Sequence, residues 1–181
     1  MHDGDTELLR LIHLFEPLSR QEIERVAEGI PVKVFERGRN VYNPAYRGDI
    51  FFLLLRGRVR VYRVEGRHEV TFAIVRGGEV FGEAAFAPRR RMGDYAEALE
   101  TSRVGLMRRE ALARIIRRYP QVGVKAVELF SERLCADQER IVSLSCKKVP
   151  SRLAALILDL ARDEGVETPE GRNIPTSNSP P

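Results

Sequence analysis

The segment Gly77-Gly78-Glu79-Val80-Phe81-Gly82-Glu83-Ala84-Ala85-Phe86 sets three glycines around a short apolar pair. It closes a run of short apolar segments, and Gly82-Glu83 reads as a tight turn that opens a short helix. Upstream, glycines stand at Gly38, Gly48, Gly57, Gly66 and Gly77, with gaps of 10, 9, 9 and 11 residues. The segments between them are rich in Val, Ile, Phe and Tyr. Arg58-Val59-Arg60-Val61-Tyr62 alternates polar and apolar with period two, the pattern of a half-buried strand. Ile50 to Leu55 is apolar throughout and predicts a strand covered on both faces. Glu65-Gly66 reads as a hairpin turn. Strands of this length at this spacing predict a small sandwich, roll or barrel.

Working outward, residues 6–30 predict two short helices. Leu8, Leu9, Leu11, Ile12, Leu14 and Phe15 make the first an apolar patch. The second opens on a capping box, in which Ser19 accepts from the amide three residues on and Glu22 reaches back. Downstream, residues 95–107 predict two strands around Glu100-Thr101-Ser102. Residues 109–119 predict a helix that Pro120 stops. A long helix follows over 122–147. In it Val127, Leu134 and Ile141 recur every seventh residue, with Phe130 and Leu144 at the complementary position and Asp137 interrupting them. That is a coiled-coil-like seam. Val149-Pro150-Ser151 breaks the helix, and Ser151 is expected to cap the next one, over 152–163. Its stripe is Leu153, Leu156, Ile157 and Leu160, and Gly165 ends it. The tail over 177–181 has no apolar content and is expected to be disordered.

Composition bounds the function. The 43% hydrophobic and 31% charged content fits a globular chain with a real core. The 30 Lys+Arg against 26 Asp+Glu leave a net charge of +4, compatible with a polyanion partner but weak support for one. No apolar run approaches the roughly 18–20 residues of a membrane span, and the acidic N-terminus does not resemble a signal peptide. A cytoplasmic location is the expectation. Cys135 and Cys146 sit on one predicted helix roughly 16 Å apart along its axis, too far to bridge. No His/Asp/Glu group has metal spacing, and no nucleophile–base arrangement or phosphate-binding loop is present. An enzyme, including a cupin-like metalloenzyme, therefore has no candidate residues, and no cofactor is implied. An iron–sulfur sensor would need about four cysteines.

The order of these pieces resembles the bacterial Crp/Fnr family of transcription regulators. The resemblance runs from Leu8 to Thr176. It is carried by residues 50–61, by the Gly78–Glu83 cassette, and by Val149-Pro150-Ser151-Arg152-Leu153-Ala154, which looks like the start of that family's DNA-binding domain. It implies an α+β fold: an antiparallel, jelly-roll-like β-roll of the cyclic-nucleotide-binding type, N-terminal helices, a long dimerisation helix and a winged helix-turn-helix. The expected division is a sensor over 1–120, the dimerisation helix over 121–148, and the first part of a DNA-binding domain over 149–176. The recognition helix is expected to be missing, as in a truncated family member. The implied partners are a second copy of the chain through Val127, Phe130, Leu134, Ile141 and Leu144, then DNA and RNA polymerase, with no membrane. Sequence-specific DNA binding is not expected of these 181 residues. The rival expectation is a small-molecule-binding or heterodimerising module that modulates a full-length regulator without touching DNA.

The resemblance also places a ligand site at Gly82, Glu83, Ala84, Met92, Gly93, Asp137 and Gln138. Glu83 would bond a ribose hydroxyl; the plainer reading is a carboxylate favoured at a helix start. The family's phosphate-holding Arg falls on Met92 and its hydroxyl partner on Gly93. The adenine-contacting pair falls on Asp137-Gln138. These departures argue against cyclic AMP as the effector. Arg89-Arg90-Arg91 could replace the missing cation or contact DNA or polymerase, but such a triplet is more often a solvated loop tip. His68 is read as a surface residue rather than a haem ligand.

Overall fold

The structure, a computed structural model, describes residues 3–45, 49–82, 93–146, 148–168 and 171–174. The chain divides into two compact units, Met1–Leu129 and Phe130–Pro181.

The first unit begins with α1 (Asp3–Leu9), a 3-10 turn (His13–Phe15) and α2 (Arg20–Ala27). Ser19 caps α2 as the sequence predicts: its hydroxyl accepts from the Glu22 amide, and the Glu22 carboxylate accepts from the Ser19 amide at 2.8 Å. Strands follow as β1 (Val32–Phe35), β2 (Asn40–Tyr42), β3 (Ile50–Arg56), β4 (Arg58–Glu65), β5 (His68–Arg76), β6 (Val80–Phe81), β7 (Tyr95–Ala98) and β8 (Ser102–Arg108). They form two four-stranded antiparallel sheets, ordered β1-β8-β3-β6 and β2-β7-β4-β5.

The core between the sheets holds Tyr42, Phe52, Leu54, Val59, Val75, Phe81, Ala96 and Val104. Side chains alternate across a strand, so Phe51, Leu53 and Leu55 of β3 point the other way, and they too are buried. The N-terminal segment covers them. Ile30 meets Leu53 above Gly105, and Leu9, Ile12, Leu14 and Phe15 are buried with them. An all-apolar β3 is thus explained by two covered faces. At the β3–β4 corner Gly57 has φ +102°, and a Cβ there would fall 2.8 Å from the Ser102 Cα. The Ser102 hydroxyl, fully buried, donates to the Glu100 carbonyl at 2.8 Å.

Helix α3 (Arg109–Arg118) is followed by α4 (Pro120–Cys146). Pro120 ends the first and starts the second, since a proline is tolerated in the first turn of a helix. Near the start of α4, Lys125 forms an ion pair with Glu16. That contact holds the Glu16 carboxyl below its ordinary range, through a hydrogen bond first and charge attraction second.

The second unit comprises the rest of α4, α5 (Val149–Glu164) and a hairpin of β9 (Val166–Thr168) with β10 (Gly171–Asn173). Two expectations are corrected here. Ser151 does not cap α5: the helix starts at Val149, with Lys148 at the cap and no side-chain cap bond. Pro150 in the first turn favours that earlier start. The β9–β10 hairpin was not anticipated. The tail over 177–181 lies outside the described residues.

Candidate ligand site in the roll

The start of the quoted stretch is pinned by backbone bonds at Gly78 and Glu79. The Gly78 amide donates to the Leu54 carbonyl at 2.8 Å, and the Leu54 amide donates to the Glu79 carbonyl at 2.9 Å. The His13 amide donates to the Gly78 carbonyl at 2.9 Å, which ties the turn to the N-terminal segment. The Glu79 carboxylate accepts from the Arg76 amide at 2.7 Å. Phe81 then stacks on Phe52 at 5.1 Å, and Phe52 lies 5.3 Å from Tyr42. Gly82 has φ +82°, and a Cβ there would stand 2.6 Å from the Phe52 Cδ2. Packing therefore demands glycine at 82, whatever a ligand demands. Glu83, Ala84, Met92 and Arg89-Arg90-Arg91 lie outside the described residues.

The description resumes at Gly93-Asp94, leading into β7. A Cβ on Gly93 would lie 3.6 Å from the Arg63 Nε, an ordinary contact. Arg63, from β4, grips Asp94, with both contacts to Oδ1 at 2.7 Å. Its guanidinium also sits 5.2 Å from the centre of the Phe72 ring. So a cation does stand beside position 93, but it comes from a neighbouring strand and already holds an internal carboxylate.

A second group lies along β4, β5 and β7. Arg60 pairs with Glu69 at 3.0 Å and Glu97 at 3.2 Å, and lies 4.0 Å over the Tyr62 ring. Tyr62 stacks on Tyr95, its cross-strand partner, at 5.1 Å. Desolvation works against the Arg60 charge, but hydrogen bonds to Glu97 and Glu69 outweigh it, so its pKa is raised. Burial pushes the Tyr62 phenol up, and Glu97 and Glu69 add to the effect. Neither group follows from motif reading. The signal was the β4–β7 register, which sets Arg60 opposite Glu97.

Asp137 and Gln138 are exposed on α4 and belong to the second unit, whereas Gly82 and Gly93 belong to the first. The seam residues are largely uncovered: Val127 is 67% exposed, Leu134 59%, Ile141 62% and Leu144 60%, while Phe130 is half-buried. Val124 and Val142 are exposed beside them. His68 is exposed on β5, and Cys135 and Cys146 are exposed on α4. Among the described residues no group of three or more His, Cys, Asp or Glu could hold a metal ion. No helix among them is long and apolar enough to cross a membrane.

Residues 32–119 match the model of the cyclic nucleotide-binding domain. Over 146 residues the chain is 27% identical to the global nitrogen regulator of Synechocystis sp., covering 79% of this chain and 65% of that one. Over 150 residues it is 27% identical to the cyclic AMP receptor protein of Thermus thermophilus, covering 82% and 69%. The crystal structure of the Thermus thermophilus catabolite activator protein superposes with a TM-score of 0.66 at 26% identity, covering 83% of this chain and 71% of that one. The chain thus spans about two thirds of the length of the curated relatives it matches. The antiparallel roll with flanking helices is the fold it shares with the catabolite activator protein.

Proposed function

We infer that the chain is a regulator of the Crp/Fnr type, from its match to the cyclic nucleotide-binding domain and its likeness to the nitrogen and cyclic AMP regulators, and that residues 1–181 supply the sensing and pairing part. It is a regulatory protein, as its named relatives are, and not an enzyme. The observation that carries the pairing is the uncovered seam of α4. Leu134 and Ile141 are each about three-fifths exposed, and soluble monomers rarely leave such a row of large apolar side chains in water. A heptad seam is covered by an equivalent helix, so a second copy is the natural occupant. In a twofold dimer an effector in the roll would act by shifting the balance between arrangements of the paired helices.

The sensor is not a cyclic AMP receptor. Met92 offers no charge and Gly93 no hydroxyl for a phosphate, and the family resemblance sets Asp137-Gln138 at the positions of its adenine-contacting pair. The cation nearest to a side chain at position 93, Arg63, is paired with Asp94. Buried phosphate needs an uncommitted guanidinium fork or converging amides.

Sedimentation velocity on the full chain tests the pairing: a dimer at micromolar concentration, converted to monomer by Leu134→Glu. A monomer at all concentrations would contradict it. Calorimetric titration with cyclic AMP tests the second statement. No saturable binding is expected below ~1 mM, which corresponds to a binding free energy weaker than about −4 kcal/mol. Micromolar binding would overturn it.

A further inference from the structure

We propose that the cleft between α2 and α3 docks an acidic segment of a partner protein, which inserts one large apolar side chain between three arginines. The floor is apolar. Val26 and Ile30 are buried, and Ala111, Ile115 and Tyr119 complete a hollow of about 250 Å³. Gly29 forms part of the wall and brings no side chain. The rim carries Arg25 from α2 with Arg114 and Arg118 from α3, all exposed.

Two features select the occupant. The first is size. Pockets that enclose a small molecule run from roughly 300 to 1,000 Å³ and bury most of its surface. This hollow is smaller, and its arginine rim is exposed to water, so it suits a single leucine-sized or phenylalanine-sized anchor. Anchors of that kind in fitted pockets carry most of the energy of protein interfaces.

The second feature is charge. Among the described residues, Arg10, Arg20, Arg58, Arg60 and Arg63 each pair with a carboxylate. Arg25, Arg114 and Arg118 pair with no carboxylate of the described residues at salt-bridge distance. Glu22 feels Arg25 and Arg118, but its carboxylate is held by Ser19 in the capping box. A cation in the last turn of α3 suits the helix dipole. That accounts for Arg118 and leaves the convergence of Arg25 and Arg114 on an apolar hollow unexplained. Three uncommitted guanidinium groups around such a floor complement carboxylates flanking an apolar side chain. Nucleic-acid phosphates would meet the same charges but leave the apolar floor unfilled. The whole cleft lies in the first unit and is independent of the ligand reading of the roll.

Fluorescence anisotropy with the full chain and a labelled, glutamate-rich peptide bearing one central leucine tests the proposal. The expected result is saturable binding that falls several-fold when the leucine becomes alanine and about tenfold in Arg114→Glu. Arg109→Glu makes the same charge change on the same helix outside the cleft, and binding should stay within about twofold of wild type. Both substitutions are at exposed positions, and circular dichroism confirms that the variants are folded. The proposal is overturned by any of four results: no binding, polyglutamate binding as tightly as the leucine peptide, equal losses from the two variants, or an oligonucleotide binding more tightly than the peptide.

Discussion

At Gly82 and Gly38 two backbones of the same hand meet different surroundings. Both have positive φ, +82° and +77°, a region that side-chain-bearing residues enter only at a cost. A Cβ at 38 would have nothing within 4 Å, whereas one at 82 would strike the Phe52 ring. Gly38→Ala should therefore lower stability by about 1 kcal/mol, the backbone cost alone. Gly82→Ala should lower it by more, because Phe52 must also leave its stack with Phe81. Urea denaturation of the two variants gives the comparison, and equal losses would show that the ring yields freely. A second expectation concerns acid. The Ser19 backbone amide, and then the Ser19 hydroxyl, hold the Glu22 carboxyl below its ordinary 4.5. A carboxyl with a depressed folded pKa adds stability above its unfolded value, and that contribution fades as pH falls through the folded one. The stability lost in Glu22→Gln should thus be constant near neutrality and shrink below about pH 4.5. A gap that widens on acidification would contradict this. The capping box was legible because both partners sit within three residues. The Arg63–Asp94 pair was not, since it joins positions in strands whose register no local pattern reports.

Among the elements, β3 and α4 were readable for opposite reasons. Residues 51–55 are all apolar because both faces of β3 are covered, and a continuous apolar run is the mark of that. The α4 seam was readable because a seven-residue repeat survives an Asp at one position. The start of α5 was misread because Ser151 looked like a cap, while Pro150 in the first turn favoured an earlier start. The β9–β10 hairpin was missed because Val166-Glu167-Thr168 and Gly171-Arg172-Asn173 are too short to show alternation and are exposed throughout. Ties between elements give a further test. Arg63 and Asp94 link β4 to the start of β7, and the Arg63 side chain is 37% exposed. Solvent screening at that exposure limits the pair to roughly 0.5–1 kcal/mol. A double-mutant cycle with Arg63→Gln and Asp94→Asn should return a coupling of about that size. A coupling of several kcal/mol would mean that the pair is far better shielded from water than its exposure indicates.

For the whole molecule, the roll and the seam belong to one design: a domain with a well-filled interior, followed by a helix that leaves Val127, Leu134, Ile141 and Leu144 in water. The interior accounts for the fold, and the exposed row is the surface that the proposed pairing covers. That the strands form a roll was legible from the glycine spacing and the apolar run of residues 50–55. The chemistry beside Gly93 needed coordinates, because its cation comes from β4. Pairing of two copies in parallel brings each seam position opposite itself, close enough for the roughly 4.4–6.8 Å Cα separation that a disulfide spans. Cysteine placed at the seam therefore tests the account most directly. In a background with Cys135→Ser and Cys146→Ser, Ile141→Cys should form a covalent dimer rapidly under mild oxidation, while Glu139→Cys, off the seam, should not. A free Ile141→Cys thiol under those conditions, or equal cross-linking at both positions, would contradict the claim that two copies of this chain meet along α4.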